Sequence, residues 1–350
     1  MICLANALSR KVDVSLVIPE RGLTPFHRGL LDSRVRLLPF TYVDYRSIRQ
    51  NFRMLVALLR TIRREKPDVL HIQANGFRLF WLLYPFLKRF VVVNTIHDPS
   101  PHSGDELSPP LPRARQGAIN HCAAFFVHGE VLKAELAKNY GLPASKVHTI
   151  PLGEFSIYQK WRRETVPVKL HEFLFFGRIW PYKGLDNFIE AANRVGRVLP
   201  SARFTIAGAG EDFSRYAAMI ERPELFDIRN YRIPETELDE LFQRCFAVVL
   251  PYTDATQSAV IPTAYAYGKP VIATRVGALP EVVRDGQTGY LIDPRSPAAT
   301  AASMLRMSGD EGAYRELCAG ALAFAQNELA WSHVAGKTLE VYRSALTLRG

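Results

Sequence analysis

One stretch limits the possible folds more than any other: Phe173-Leu174-Phe175-Phe176-Gly177-Arg178-Ile179-Trp180-Pro181-Tyr182-Lys183-Gly184. Its run of four apolar residues predicts a buried strand, and Gly177 allows a sharp backbone turn. Pro181 and Gly184 punctuate the loop, and Leu185-Asp186-Asn187-Phe188-Ile189 starts a helix. Arg178 and Lys183 are therefore delivered to the carboxyl end of a strand, which is where α/β sheets bind ligands. A guanidinium fork and a flexible ammonium suit a diphosphate. The same two cations also fit an ordinary solvated loop, and the residues alone leave both readings open.

At 350 residues, two domains are expected. A hydrophobic fraction of 48% and a charged fraction of 22% belong to a folded protein rather than a disordered one. The net charge of +10 is concentrated in residues 1–165, and the remainder is close to neutral. One face of the first domain is thus expected to meet something anionic. Zinc-finger spacing, an RNP-like run and a basic zipper are all missing, so nucleic acid is not expected. Cys3, Cys122, Cys245 and Cys318 are scattered, which argues for a reducing compartment and against structural zinc. No apolar run reaches the roughly 18 residues of a membrane-spanning helix. Lys11 and Asp13 interrupt any signal-peptide pattern, and a cytoplasmic location is expected.

The first half alternates strands and helices. Residues 1–9 predict an amphipathic helix and residues 12–19 a strand, whereas a doubly wound domain opens with a strand and a glycine turn. The opening strand is missing from this order, and the expectation is a start upstream of Met1. From Arg46 to Lys66 the pattern predicts a divided helix. Arg46, Arg49, Arg53, Arg60, Arg63 and Arg64 fall within an arc of roughly 100°, opposite Ile48, Phe52, Leu55, Leu58, Leu59 and Ile62. Such a helix either packs on its sheet with a solvated arginine face or also docks on an anionic membrane surface. A helix is expected over residues 77–87. The strand ending Thr95-Ile96-His97-Asp98 leads into a loop rich in proline (Pro99, Pro101, Pro109, Pro110, Pro112), a candidate acceptor-side lid. His97 is open to a structural or a chemical role. Residues 156–168 read as the linker.

The second half repeats the alternation. Gly208-Ala209-Gly210 precedes Glu211 and Asp212, which would repel a phosphate, and reads as a turn. A strand is expected over residues 227–233. After the strand 246–251, the run from Tyr252 to Pro270 predicts small polar residues leading into a helix capped by Ser258, with Pro262 in its first turn. Amides after Gln257 would form a second anion element beside Arg178 and Lys183.

Taken as a set, Phe175-Phe176-Gly177-Arg178 with Lys183-Gly184, Ala207-Gly208 with Gly210, and Gly268-Lys269-Pro270-Val271-Ile272-Ala273-Thr274 with Gly277 and Pro280-Glu281 resemble the retaining glycosyltransferases of family 4. Trp331-Ser332 and the following helix with Tyr342 add to the resemblance. It implies an α/β GT-B fold, with two Rossmann-like doubly wound domains facing across a cleft, the first lacking its opening strand. The implied domains are 1–160 on the acceptor side, 161–328 for the nucleotide sugar, and 329–350 as a helix crossing back. The implied reaction moves a sugar from a nucleotide-diphosphate sugar to a glycan, lipid-linked or other hydroxyl acceptor, with retention. Arg178 and Lys183 would neutralise the leaving diphosphate, and His97 would lie near sugar and acceptor. Gly177, Gln257, Ser258, Ala259, Thr263 and Ile233 are the nucleotide-sugar candidates. No cofactor or metal is expected, and the sequence contains no Asp-x-Asp motif. The family's paired glutamates, eight residues apart, fall on Ala255 and Thr263. Asp254 or Gln257 is expected to replace the first, and Thr263 to reach a ribose hydroxyl. The alternative is a non-catalytic protein of the same fold that lost this pair.

Overall fold

The structure, a computed structural model, describes residues 1–20, 23–41, 47–73, 80–100 and 112–348. Arg46, residues 77–79 of the expected 77–87 helix, and Pro101, Pro109 and Pro110 of the expected lid lie outside the described residues. Two compact units divide the chain. One comprises Met1–Pro101, Leu107–Pro151 and Trp331–Gly350, and the core of the other is Leu152–Ala330.

The first unit contains α1 (Ile2–Leu8), β1 (Val14–Pro19), α2 (Pro25–Gly29), β2 (Val35–Phe40), α3 (Ile48–Glu65), β3 (Val69–Ile72), β4 (Val91–Thr95), α4 (Pro112–His121), β5 (Cys122–Val127), α5 (Glu130–Tyr140) and β6 (Val147–Thr149). β1 and β2 pair in parallel as a two-stranded sheet, while β3, β4, β5 and β6 form a four-stranded parallel sheet in that order. β4 is buried at all five positions, as expected of an apolar strand covered on both faces of a parallel sheet. Residues 80–87 form 3-10 turns around Pro85, which removes a backbone donor and prevents a regular α-helix there.

In α3, the Ser47 hydroxyl accepts from the Gln50 amide, and Lys66 closes the helix in the left-handed conformation. Met54, Leu55, Leu58 and Ile62 are buried, and Arg49, Arg53, Arg60, Arg63 and Arg64 are exposed. Phe52, expected on the apolar side, is instead 63% exposed. Asn51 takes the inward place and donates its side-chain amide to Ser47 O. The next residue is then turned about 100° toward solvent.

The second unit contains β7 (Glu172–Phe176), α6 (Leu185–Val198), β8 (Arg203–Ala207), α7 (Ser214–Ala217), β9 (Phe226–Arg229), α8 (Glu235–Arg244), β10 (Ala247–Leu250), α9 (Val260–Ala266), β11 (Val271–Thr274), α10 (Leu279–Val282), β12 (Gly289–Ile292), α11 (Pro297–Gly309) and α12 (Glu311–Asn327). Its six strands are parallel in the order β12-β11-β10-β7-β8-β9. Alternation along β7 sends Phe173 and Phe175 into one core layer, with Phe188 and Phe204, and Leu174 into the other, with Phe242, Val248 and Tyr265. From β7 the chain winds through β8 and β9 toward one edge, then returns to β10 and winds through β11 and β12 toward the other. The gap between the carboxyl ends of β7 and β10 is therefore the topological switch point of the sheet.

The last helix, α13 (Trp331–Thr347), belongs to the first unit. Val334, Ala335 and Leu339 pack with Leu4 and Leu8 of α1, and Val341 and Ala345 pack with Val93 and Phe126 of the sheet.

Candidate active site

The loops after β7 and β10 are joined at the switch point of the second unit. Gly177 has φ 131°, a conformation that a side chain rarely adopts, and this sharp turn lifts the backbone off β7. The Thr253 amide donates to Tyr182 O at 2.8 Å. Gly184 (φ 65°) lies so close to the β10 exit that a Cβ there would come within 2.0 Å of Pro251 O. Gly277 in turn lies under the β10 loop, where a Cβ would meet Ala255 O at 1.7 Å. Ala278 N donates to Thr256 O at 3.0 Å, so three loops are welded at one end of the sheet.

Gly208 and Gly210, expected to form a turn, instead continue the pairing beyond β7 and β8. Gly177 N donates to Ala207 O at 3.0 Å and Ile179 N to Ala209 O at 2.9 Å. A Cβ on Gly208 would meet Gly177 O at 1.8 Å, and one on Gly210 would meet Ile179 O at 1.9 Å. These glycines are there for backbone approach, which brings the Arg178 loop down onto its neighbour.

The cations sit on tyrosines. Arg178 Nη2 donates to the Tyr182 hydroxyl at 2.9 Å. Lys183 Nζ lies 3.7 Å from the centre of the Tyr252 ring and 5.0 Å from that of Tyr182. An ammonium over a ring face is held by the ring quadrupole, most strongly where water is excluded. Burial pushes the Tyr252 phenol up to about 12, although its hydroxyl contact with Ser258 and the charge of Arg178 pull the other way. The Tyr252 hydroxyl is 3.3 Å from Ser258 Oγ, and Ser258 Oγ accepts from Val260 N. Arg178, Lys183, Tyr182, Tyr252 and Ser258 thus form one contiguous group within a single unit. Tyr182 and Tyr252 were not singled out from sequence. The signal was present, since each aromatic directly follows a proline at a strand's exit.

α9 is regular from Val260, but Ala259 before it already has helical dihedrals and makes no side-chain cap bond, and it is Ser258 Oγ that accepts from Val260 N, as a capping hydroxyl does. Ile233 lies in the loop before α8, since β9 ends at Arg229, whose guanidinium turns to Asp227 and Glu237. Ile233 packs against the core layer that includes Phe242. Ala259 is exposed at the mouth of the helix. At the positions of the glutamate pair, Ala255 is 6% exposed and Thr263 4% exposed. The Thr263 hydroxyl donates to Ala259 O at 2.7 Å, which leaves its lone pairs to accept. Gln257 Oε1 is buried without a hydrogen-bond partner. A buried acceptor of this kind costs free energy until a donor reaches it.

His97 belongs to the first unit, just beyond the carboxyl end of β4. Burial lowers its pKa, opposed by the neighbouring Asp98 and by the Gln73 carbonyl. Its ring centre is 5.1 Å from that of His128 at the end of β5. His128 Nδ1 is 3.1 Å from Ile150 O, and burial drops its pKa to about 4. At the end of β3, His71 lies 2.7 Å from Thr95 Oγ1 and 2.6 Å from the Tyr342 hydroxyl. Its pKa falls to about 3, again mainly through burial. The three carboxyl ends thus carry three imidazoles held neutral at pH 7. His71 and His128 escaped the sequence reading because neither has a neighbouring acid to mark it.

Among the described residues, no helix is long and apolar enough to cross a membrane. Residues 1–153 match the family described as Glycosyltransferase Family 4, and residues 171–310 match that described as Glycosyl transferases group 1. A D-inositol 3-phosphate glycosyltransferase of Paenarthrobacter aurescens is 30% identical over 258 residues, 68% of this chain. The match spans 62% of that relative's own length. Among solved structures, Anabaena HepE in complex with UDP superposes with a TM-score of 0.73 at 17% identity, covering 98% of this chain and 95% of that one. Sucrose-phosphate synthase of Thermosynechococcus elongatus gives a TM-score of 0.72 at 17% identity, covering 99% and 92%. Both likenesses show the GT-B fold. With its two halves matching the two domain families in order, the chain belongs to the group 1 glycosyltransferases of family 4.

Proposed function

We propose that this protein transfers a sugar from a nucleotide-diphosphate sugar to a hydroxyl acceptor, with retention at the anomeric carbon. The observation that carries this reading is the seating of Arg178 and Lys183 on Tyr182 and Tyr252, beside Ser258, at the switch point of the second sheet. Both cations come from one short loop whose glycines fix its path, so little reorganisation is needed when a pyrophosphate arrives. As the glycosidic bond to phosphate breaks, negative charge grows on the leaving diphosphate. Prepositioned cations stabilise that charge more than the ground state, and this is the source of rate. Solved neighbours hold UDP and UDP-glucose, which makes a uridine nucleotide the first donor to test. Gln257 Oε1 offers an unfilled acceptor for a donor hydroxyl, in place of the glutamate absent at Ala255. Thr263 is assigned to a ribose hydroxyl through its free lone pairs, and His97 to the sugar and acceptor side.

Incubation with UDP-glucose and a hydroxyl acceptor should release UDP. Arg178→Ala and Lys183→Ala should each lower that rate about 100-fold, the usual loss for one group stabilising developing charge. Gln257→Ala should weaken donor binding in calorimetry, and unchanged affinity and turnover would remove Gln257 from the site. Absence of binding to every nucleotide and nucleotide sugar in a thermal-shift panel would sink the reading, because a native-state ligand must raise the melting temperature.

The reading extends to location. The exposed arginines of α3, with the exposed Phe52 among them, suit an anionic membrane surface, at about 1 kcal/mol for each arginine near it. The acceptor is then a glycan or a lipid-linked sugar presented at that surface. Co-sedimentation with phosphatidylglycerol vesicles, abolished in R49E/R53E, is the expected result.

A further inference from the structure

At the amino ends of β3 and β4, opposite the histidine end of that sheet, the first unit has a cavity of about 620 Å³. Arg63 and Lys66 line it from the end of α3, Arg89 and Phe90 from the approach to β4, and Leu346 from α13. Among the described residues, Arg63, Lys66 and Arg89 form no ion pair. The neighbouring Glu65 is taken up elsewhere, by Arg36 at 3.0 Å, Arg64 at 3.1 Å and the Ser15 hydroxyl at 3.2 Å. Asp68 is the one carboxylate in the lining, which leaves two positive charges in excess. That excess equals the charge of a phosphate monoester dianion. Lys66 also occupies the left-handed position that ends α3, with φ 48°, where glycine would be the cheaper residue. The guanidinium of Arg89 lies over the Phe90 ring at 5.3 Å, its planar face covered and its edge left to donate. The apolar part of the lining is Pro67, Phe90, Val91 and Leu346. Of these, Leu346 is 39% exposed.

We propose that this pocket binds a phosphate monoester carrying an apolar chain, with the phosphate on Arg63, Lys66 and Arg89 and the chain along Phe90 and Leu346. The site is separate from the nucleotide-sugar site and independent of the transfer reaction. It also differs from the outer face of α3, since Arg49 and Arg53 take no part in its lining.

The test uses hexyl phosphate and inorganic phosphate as probes, titrated into the full chain by calorimetry. Hexyl phosphate should bind at least tenfold more tightly than inorganic phosphate. R63E/R89E should lose hexyl phosphate binding by at least tenfold, and R49E/R53E should keep it. Leu346→Ser retains every cation, so it guards against misfolding of the charge-reversed variant. It should bring hexyl phosphate down toward inorganic phosphate and leave the latter unchanged. Vesicles of phosphatidylcholine with phosphatidic acid, sedimented with R49E/R53E so that the outer face of α3 takes no part, then identify the source. Sedimentation that hexyl phosphate competes away assigns the pocket to a lipid headgroup, and hexyl phosphate binding without sedimentation assigns it to a soluble amphiphilic phosphate. Equal binding of hexyl phosphate by wild type and R63E/R89E, or equal binding of the two probes by wild type, overturns the proposal. UDP titrated into the same variants reports on the second unit alone, so failure of the transferase reading shows separately.

Discussion

Lys183 rests on the faces of two tyrosines, and this decides how far each substitution around it reaches. Tyr252 is 1% exposed and serves both as a platform for the ammonium and as a hydroxyl partner of Ser258. Tyr252→Phe keeps the ring and loses only the hydroxyl contact, so UDP affinity should stay within a few-fold of wild type. Tyr252→Leu removes the ring face, worth about 1–2 kcal/mol where water is excluded, and UDP affinity should fall roughly tenfold. Calorimetry on the pair separates the two roles. Equal affinities for the Phe and Leu variants would show that the ring does not position Lys183. The residues themselves, Arg178 and Lys183, were legible in sequence because glycine and proline bracket them. One aromatic seat, Tyr182, belongs to the same loop, but Tyr252 comes from a segment about 70 residues away, and no local pattern announces that contact.

The elements of the second unit meet at a buried charge cluster that the sequence did not display. Arg244, at the end of α8, donates from Nε to Glu172 of β7 at 2.7 Å and from Nη2 to Asp227 of β9 at 2.7 Å, with Thr205 of β8 at 3.3 Å. Its side chain is 8% exposed and that of Glu172 is 3% exposed. One guanidinium thus ties three strands to a helix. Arg244→Met leaves the buried Glu172 carboxylate with only the exposed Lys169 ammonium, at 4.0 Å, as a cation, which should cost about 3 kcal/mol. Adding Glu172→Gln should recover part of that loss in urea unfolding, and no recovery would show that packing rather than charge holds the site. Continuous apolar runs such as Phe173–Phe176 and Val91–Val93 made the strands readable, since parallel strands covered on both faces leave a one-dimensional signal. The division of the first unit into two separate sheets was not readable, because pairing order depends on long-range register. Phe52 was misplaced because an arc drawn from hydrophobicity ignores the inward hydrogen bond of Asn51.

For the whole molecule, acid should act first on the first unit, where His71 and His128 are buried and neutral. Their folded pKa values lie near 3 and 4, below the ordinary value of 6.5. The unfolded chain therefore binds more protons than the native one as pH falls from about 6.5 toward 4, and stability declines across that window. The loss approaches ~1.4 kcal/mol per pH unit for each histidine. Hydrogen exchange of β3, β4 and β5 amides should accelerate between pH 7 and pH 5 relative to those of β7 and β8, after correction for intrinsic rates. A uniform response in both units would contradict this. The placement of α13 carries a different consequence, for synthesis. The helix that completes the first unit leaves the ribosome after the whole of residues 152–330, so Val93, Phe126 and Leu4 wait for their covering side chains while those residues are already able to collapse. The usual order of maturation is inverted, and the half made first is the half whose apolar surface stays bare longest in the nascent chain.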